Sequence, residues 1–96
     1  MSAATRLGDL DSGHDSCTPT ALASASGNVL INGKGAGRLG DSYTPHGCKN
    51  HPTHTGTISG GSGTVTINGK AAARVGDPVS CGGTVAQGSG NVTIGE

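Results

Sequence analysis

Ser62-Gly63-Thr64-Val65-Thr66-Ile67-Asn68-Gly69-Lys70-Ala71-Ala72-Ala73-Arg74-Val75-Gly76-Asp77 is the stretch that decides the fold. Val65 and Ile67 alternate with Thr64 and Thr66, the period-two signature of a half-buried strand. Asn68-Gly69 follows at once, and Asn-Gly favours the type I′ turn whose twist matches a two-strand hairpin. A return strand is predicted from Ala71 to Val75, closing on Gly76-Asp77. The same unit runs from Ser26-Gly27-Asn28-Val29-Leu30-Ile31 through Asn32-Gly33-Lys34 and Gly35 to Leu39, closing on Gly40-Asp41. A third copy is split between the two ends of the sequence, as Ser89-Gly90-Asn91-Val92-Thr93-Ile94 and Arg6-Leu7-Gly8-Asp9. Ala4 to Leu7 is therefore predicted to pair with Asn91 to Ile94 and complete the third hairpin. Three copies of one unit in 96 residues imply near three-fold symmetry and point to a trimeric partner.

Composition limits what else can hold such a chain together. Ninety-six residues make one small domain, spanning 1–96, and with no Trp or Phe, one Tyr and 19 Gly its core must be thin. The triplicate Val-x-Ile alternation argues against disorder, and the only run of good helix formers, Ala71 to Ala73, is too short for a helix. The fold class is all-β. Six basic and six acidic residues balance and are scattered, so nucleic acid is not a predicted partner. No apolar run approaches the roughly 20 residues of a membrane helix, and the start of the chain has no hydrophobic signal region. Three cysteines, Cys17, Cys48 and Cys81, are an odd number, which argues against a closed disulfide framework and for a metal or a free thiol.

All four His and all three Cys fall in the variable segments 10–25, 42–61 and 78–88, between each Gly-Asp and the next Ser-Gly. Repeats below and ligand-type residues in the connections imply a flat base and a convergent apex. His14 and His46 each lie five residues after their Gly-Asp, and His54 and Cys81 each lie eight residues before their Ser-Gly. The remaining equivalent slots hold Thr18 and Gly82 and are blank. His14, His46, His54 and Cys81 thus form a set of four, the coordination number zinc prefers. Cys48 and His51, inside His46-Gly-Cys-Lys-Asn-His51-Pro-Thr-His54, are the alternates, while Cys17 has the weakest claim. Three imidazoles and a thiolate suit Zn²⁺, with Fe²⁺ or Ni²⁺ next and Mg²⁺ or Ca²⁺ disfavoured. Four protein ligands leave no position for an activated water, so such a site is structural.

The Arg-x-Gly-Asp copies have a plainer reading, as turns with surface Arg-Asp pairs worth about 0–1 kcal/mol each. They are not adhesion signals, because a Leu or Val separates Arg from Gly. Asn91-Val92-Thr93 fits a glycosylation acceptor but falls in a predicted strand.

Lys70-Ala71-Ala72-Ala73-Arg74-Val75-Gly76-Asp77, preceded by Gly-x-Val-x-Ile-Asn-Gly, resembles the PAAR-repeat family, the spike tips of type VI secretion systems and contractile phage baseplates. The Pro-Ala-Ala-Arg of the family reads Ala71-Ala72-Ala73-Arg74 here, inside a retained Asn-Gly-Lys and Val-Gly-Asp frame. The resemblance implies a small three-sided cone of short β-hairpins with a metal near its apex. It implies a base seated on a trimeric VgrG-like or phage spike β-helix, one copy per trimer, and transient contact with a target-cell membrane. The implied role is force-bearing penetration without turnover. No effector extension is expected, but an effector could ride noncovalently. The expected location is the bacterial cytoplasm before firing and then the exterior or a target cell, or a virion tail tip. The alternatives are a small zinc-binding adaptor for a nontrimeric partner, or a metallohydrolase using His14, His46 and His54. The hydrolase lacks a general base, since Glu96 is the only glutamate.

Overall fold

The computed structural model describes residues 2–13, 17–48 and 51–95, without the side chains of Cys48 and His51. Among them no helix forms, and eight short strands follow in order: β1 Ser2–Ala3, β2 Leu30–Ile31, β3 Lys34–Gly35, β4 His46–Cys48, β5 His51–His54, β6 Thr66–Ile67, β7 Lys70–Ala71 and β8 Thr93–Ile94. They pair antiparallel as β1 with β8, β2 with β3, β4 with β5 and β6 with β7. Three of these pairs are the repeated unit. Leu30 lies opposite Gly35, Thr66 opposite Ala71 and Thr93 opposite Ala3. Asn32 and Asn68 sit at φ 55° and 54° with Gly33 and Gly69 at 80° and 78°, the left-handed pair that a type I′ turn requires.

The third hairpin is closed by the first and last strands, but by Ser2–Ala3 rather than by residues 4–7. Residues 4–7 are needed elsewhere. Single antiparallel bridges join Ala4 to Arg74, Ala36 to Arg6 and Ala72 to Arg38, so each return segment leaves its own hairpin and bonds to a neighbouring side. On the axis these segments close a ring of main-chain hydrogen bonds. The Thr5 N–H donates to Ala73 O at 3.2 Å, the Ala73 N–H to Gly37 O at 3.0 Å, and the Gly37 N–H to Thr5 O at 3.0 Å. Gly37 has to be glycine, because a Cβ there would lie 2.6 Å from Thr5 Cγ2.

The core divides into two layers along this axis. Ala4, Ala36 and Ala72 with Ile31, Ile67 and Ile94 form the lower one, each trio drawn once from each side. Leu22, Tyr43, Ile58, Ala73, Val79 and Val85 form the upper one. Bulk is small in both, as the composition requires. The molecule measures 37 × 24 × 23 Å, with one long axis and two nearly equal short ones.

The Arg-x-Gly-Asp copies are not surface pairs of the bland kind. Asp9, Asp41 and Asp77 are buried, and each accepts both the main-chain N–H of its arginine and a two-pronged guanidinium. This hydrogen bonding to Asp9 and Asp41 holds the Arg6 and Arg38 guanidinium groups above their already high ordinary pKa. The glycine between them sits at φ 91°, 90° and 98° in the three copies, which lets the turn fold the aspartate back onto the arginine. Each arginine then spends its remaining nitrogen on a hairpin end: Arg6 Nη1 donates to Asn32 Oδ1 at 3.0 Å, Arg38 Nη1 to Asn68 Oδ1 at 3.0 Å, and Arg74 Nη1 to Gly95 O at 3.1 Å. Asn68 in turn donates to Asn28 and Asn32 to Asn91, each at 2.9 Å. Asn91 is thereby tied into a corner of the base.

Candidate metal centre

The remaining hairpin, β4 with β5, belongs to no repeat. It rises from Tyr43 of the upper core layer and sets His46 opposite His54 across the ladder, with a register shift between His46 and Cys48. Cys81 comes from the third variable segment, after Val79 of the same layer. One ligand atom each from His46, His54 and Cys81 lie within 4.8 Å of one another, and all three residues are half-buried.

The orientation of the two imidazoles is the informative part. His46 Nδ1 lies 3.0 Å from Thr18 O, and His54 Nδ1 lies 2.9 Å from Pro52 O. A carbonyl oxygen only accepts, so both Nδ1 atoms carry the proton. In the neutral rings the Nε2 atoms are then lone-pair acceptors, and they lie 2.9 Å apart. Two lone pairs at that distance repel unless a proton or a cation lies between them. Carbonyl acceptance at Nδ1 with Nε2 turned inward is also the usual outer-shell arrangement of a metal-binding histidine. Two nitrogens on one tetrahedral zinc lie roughly 3.3 Å apart, so a few tenths of an ångström of opening would admit the ion.

Cys81 is a free thiol. Space for its sulfur is made by Gly56, where a Cβ would come within 2.9 Å of Cys81 Sγ. Two imidazoles and a thiol are borderline-to-soft donors, a set that fits a transition metal and suits Mg²⁺ or Ca²⁺ poorly.

Of the four ligands expected from the repeat spacing, the fold brings His46, His54 and Cys81 together, and His14 lies outside the described residues. The side chains of the alternates Cys48 and His51 also lie outside them. Cys17 departs from the expectation drawn from an odd cysteine count: it is buried and disulfide-bonded. An odd count fixes only that one thiol is left over, and Cys81 is a free one.

Sequence reasoning missed the residues that orient the ligands. Thr18 stands in the slot equivalent to His54 and Cys81, an equivalence carried by Leu22, Ile58 and Val85 four residues on, whose N–H groups donate to Asp9, Asp41 and Asp77 in turn. Its side chain offers no imidazole or thiol, and the slot looked blank. Its main-chain carbonyl nevertheless aims His46. Only the repeat register hinted at it, and nothing in the sequence pointed to the Pro52 carbonyl or to Gly56.

No curated protein matches the chain. A family model described as PAAR motif matches residues 49–96, half of the 96-residue chain, and spans the second complete repeat, the C-terminal half of the split third one and the β5 side of the candidate centre. Together with three hairpins closed about one axis, that match identifies the chain as a member of the PAAR-repeat family of spike-tip proteins.

Proposed function

We propose that this protein caps and sharpens the tip of a trimeric VgrG-like spike in a contractile injection machine, a type VI secretion system or a phage tail, with one copy per trimer. The observation that carries this reading is the closed ring of hydrogen bonds through Thr5, Gly37 and Ala73. Three non-identical segments of one chain offer near-equivalent backbone about a single axis, so one copy can meet three identical subunits at once. Seated there, its base covers the strand ends of the trimer, which would otherwise be open to pairing with other chains. The role is mechanical, piercing a target membrane as the spike advances, and an effector can travel with it noncovalently. Before firing the protein resides in the bacterial cytoplasm, or at the tail tip of a virion.

The apex is held by Zn²⁺ on His46, His54 and Cys81, with His14 as the fourth ligand and His51 as the alternate. Cys48 drops out of the alternates, because with Cys81 free it is the one cysteine left to pair with Cys17. Such a closed site supplies folding free energy, roughly 10–16 kcal/mol for structural zinc in small domains, and activates no water. The presence of a sulfur within reach of both imidazoles favours this over a three-His hydrolase. Native mass spectrometry with elemental analysis of the protein mixed with its trimeric spike tests both parts. One protein and one zinc per trimer is the expected result. Three copies per trimer would overturn the capping model, and a stoichiometric complex without metal would overturn the zinc site alone.

A further inference from the structure

Tyr43 is the sole tyrosine and among the largest fully buried side chains, 1% exposed in the upper core layer. Its hydroxyl is the one buried side-chain polar atom among the described residues with no hydrogen-bond partner. Burying a hydroxyl without a partner is unfavourable, and a phenylalanine would fill the same space without that cost. The equivalent positions on the other two sides, fixed by the bridges of Asp11 with Val85 and Ile58 with Val79, are Asp11 and Val79, so no repeat rule demands a phenol here.

Its surroundings supply the reason. The Tyr43 N–H donates to Gly56 O at 2.9 Å, and Gly56 is the residue whose missing side chain makes room for Cys81 Sγ. Cys81 packs against the core cluster to which Tyr43 belongs. Burial first, then the charges of Asp11, Asp9, Cys81 and Asp77, raise the phenol far above its ordinary pKa, so it remains a donor. Asp11 accepts the N–H groups of Gly13 and Thr20, each at 3.0 Å, on Oδ1, and the Tyr43 hydroxyl donates to neither of its oxygens. A cysteine bound to a metal is a thiolate, a far better acceptor than the thiol.

We propose that Tyr43 is a positioning residue of the metal centre, its hydroxyl donating a hydrogen bond to the Cys81 thiolate once a metal is bound. This rests on the metal reading of His46, His54 and Cys81 given above. Outer-shell partners of this kind typically govern metal affinity by about 10–100-fold.

The test compares wild type with Tyr43→Phe, using competition for Zn²⁺ against a chromophoric chelator and the thiolate-to-cobalt charge-transfer band of the Co²⁺-loaded proteins. A tenfold or larger loss of affinity is expected, with the band moved to lower energy because the sulfur electrons lose a stabilising donor. Neither change should appear when Tyr43→Phe is made in a Cys81→Ala background. Because there is one tyrosine, labelling with 3-fluorotyrosine provides a second variant that keeps the fold. Its more acidic phenol should move the band to higher energy. Equal affinity and an unmoved band in both variants would overturn the proposal while leaving the metal site standing. A wild-type protein that binds neither Zn²⁺ nor Co²⁺ would overturn both.

Discussion

Arg38 is joined to more of the molecule than a turn arginine needs to be. Its Nε and Nη2 grip Asp41 at 3.0 and 2.9 Å, and its Nη1 reaches Asn68 on another hairpin, so one planar fork ties a buried carboxylate to a neighbouring side. Lysine keeps the charge but offers one compact donor group and cannot span both partners. Arg38→Lys is therefore expected to lower stability by about 1–3 kcal/mol, read as a lower midpoint in chemical denaturation. A midpoint equal to wild type would return the triplet to the role of a surface pair. The sequence displayed Arg and Asp in fixed register but not their depth, because burial of Asp41 depends on Ser24, Ile58 and other residues distant along the chain.

Hairpin pairing was legible from Asn32-Gly33 and Asn68-Gly69, since the turn chemistry is local. How hairpins pack was not, and the corners make the point. The segment leading into each Ser-Gly crosses the return strand of its corner with one methyl group between them. Ala25 faces Gly35, Gly61 faces Ala71, and Gly88 faces Ala3. A Cβ added at Gly35 would come 2.5 Å from Ser26 O and 3.1 Å from Ala25 Cβ. Gly35→Ala alone should thus cost about 1–3 kcal/mol as an overpacked site. Adding Ala25→Gly recreates the arrangement of the other two corners and should recover most of that loss. Two costs that simply add in thermal melts would count against this compensation, since contacting residues are expected to couple. In one dimension Gly35 looks like one more glycine among 19, and its partner ten residues earlier carries no mark.

The whole molecule depends on a closure that involves the first residues of the chain. Ser2–Ala3 completes the third hairpin, Thr5 supplies one third of the axial ring, and Arg6 holds both Asp9 and Asn32. Deleting residues 1–7 should therefore abolish a cooperative melt rather than fray one edge, and an unchanged melting temperature would refute the closed ring. The sequence by itself determined the all-β class, the three-fold count, the I′ turns and the joining of the two ends, because repeated turn residues and period-two alternation are local instructions written three times. It also set the spacing that made His14, His46, His54 and Cys81 candidates for one metal. Only the tertiary structure decided that residues 4–7 bridge to other sides instead of extending their own hairpin, and that the Thr18 and Pro52 carbonyls turn the Nε2 atoms of two imidazoles toward each other. Those outcomes come from main-chain groups, which every residue carries alike, so no letter of the sequence could mark them. They are selected by where closure about the axis leaves a donor opposite an acceptor.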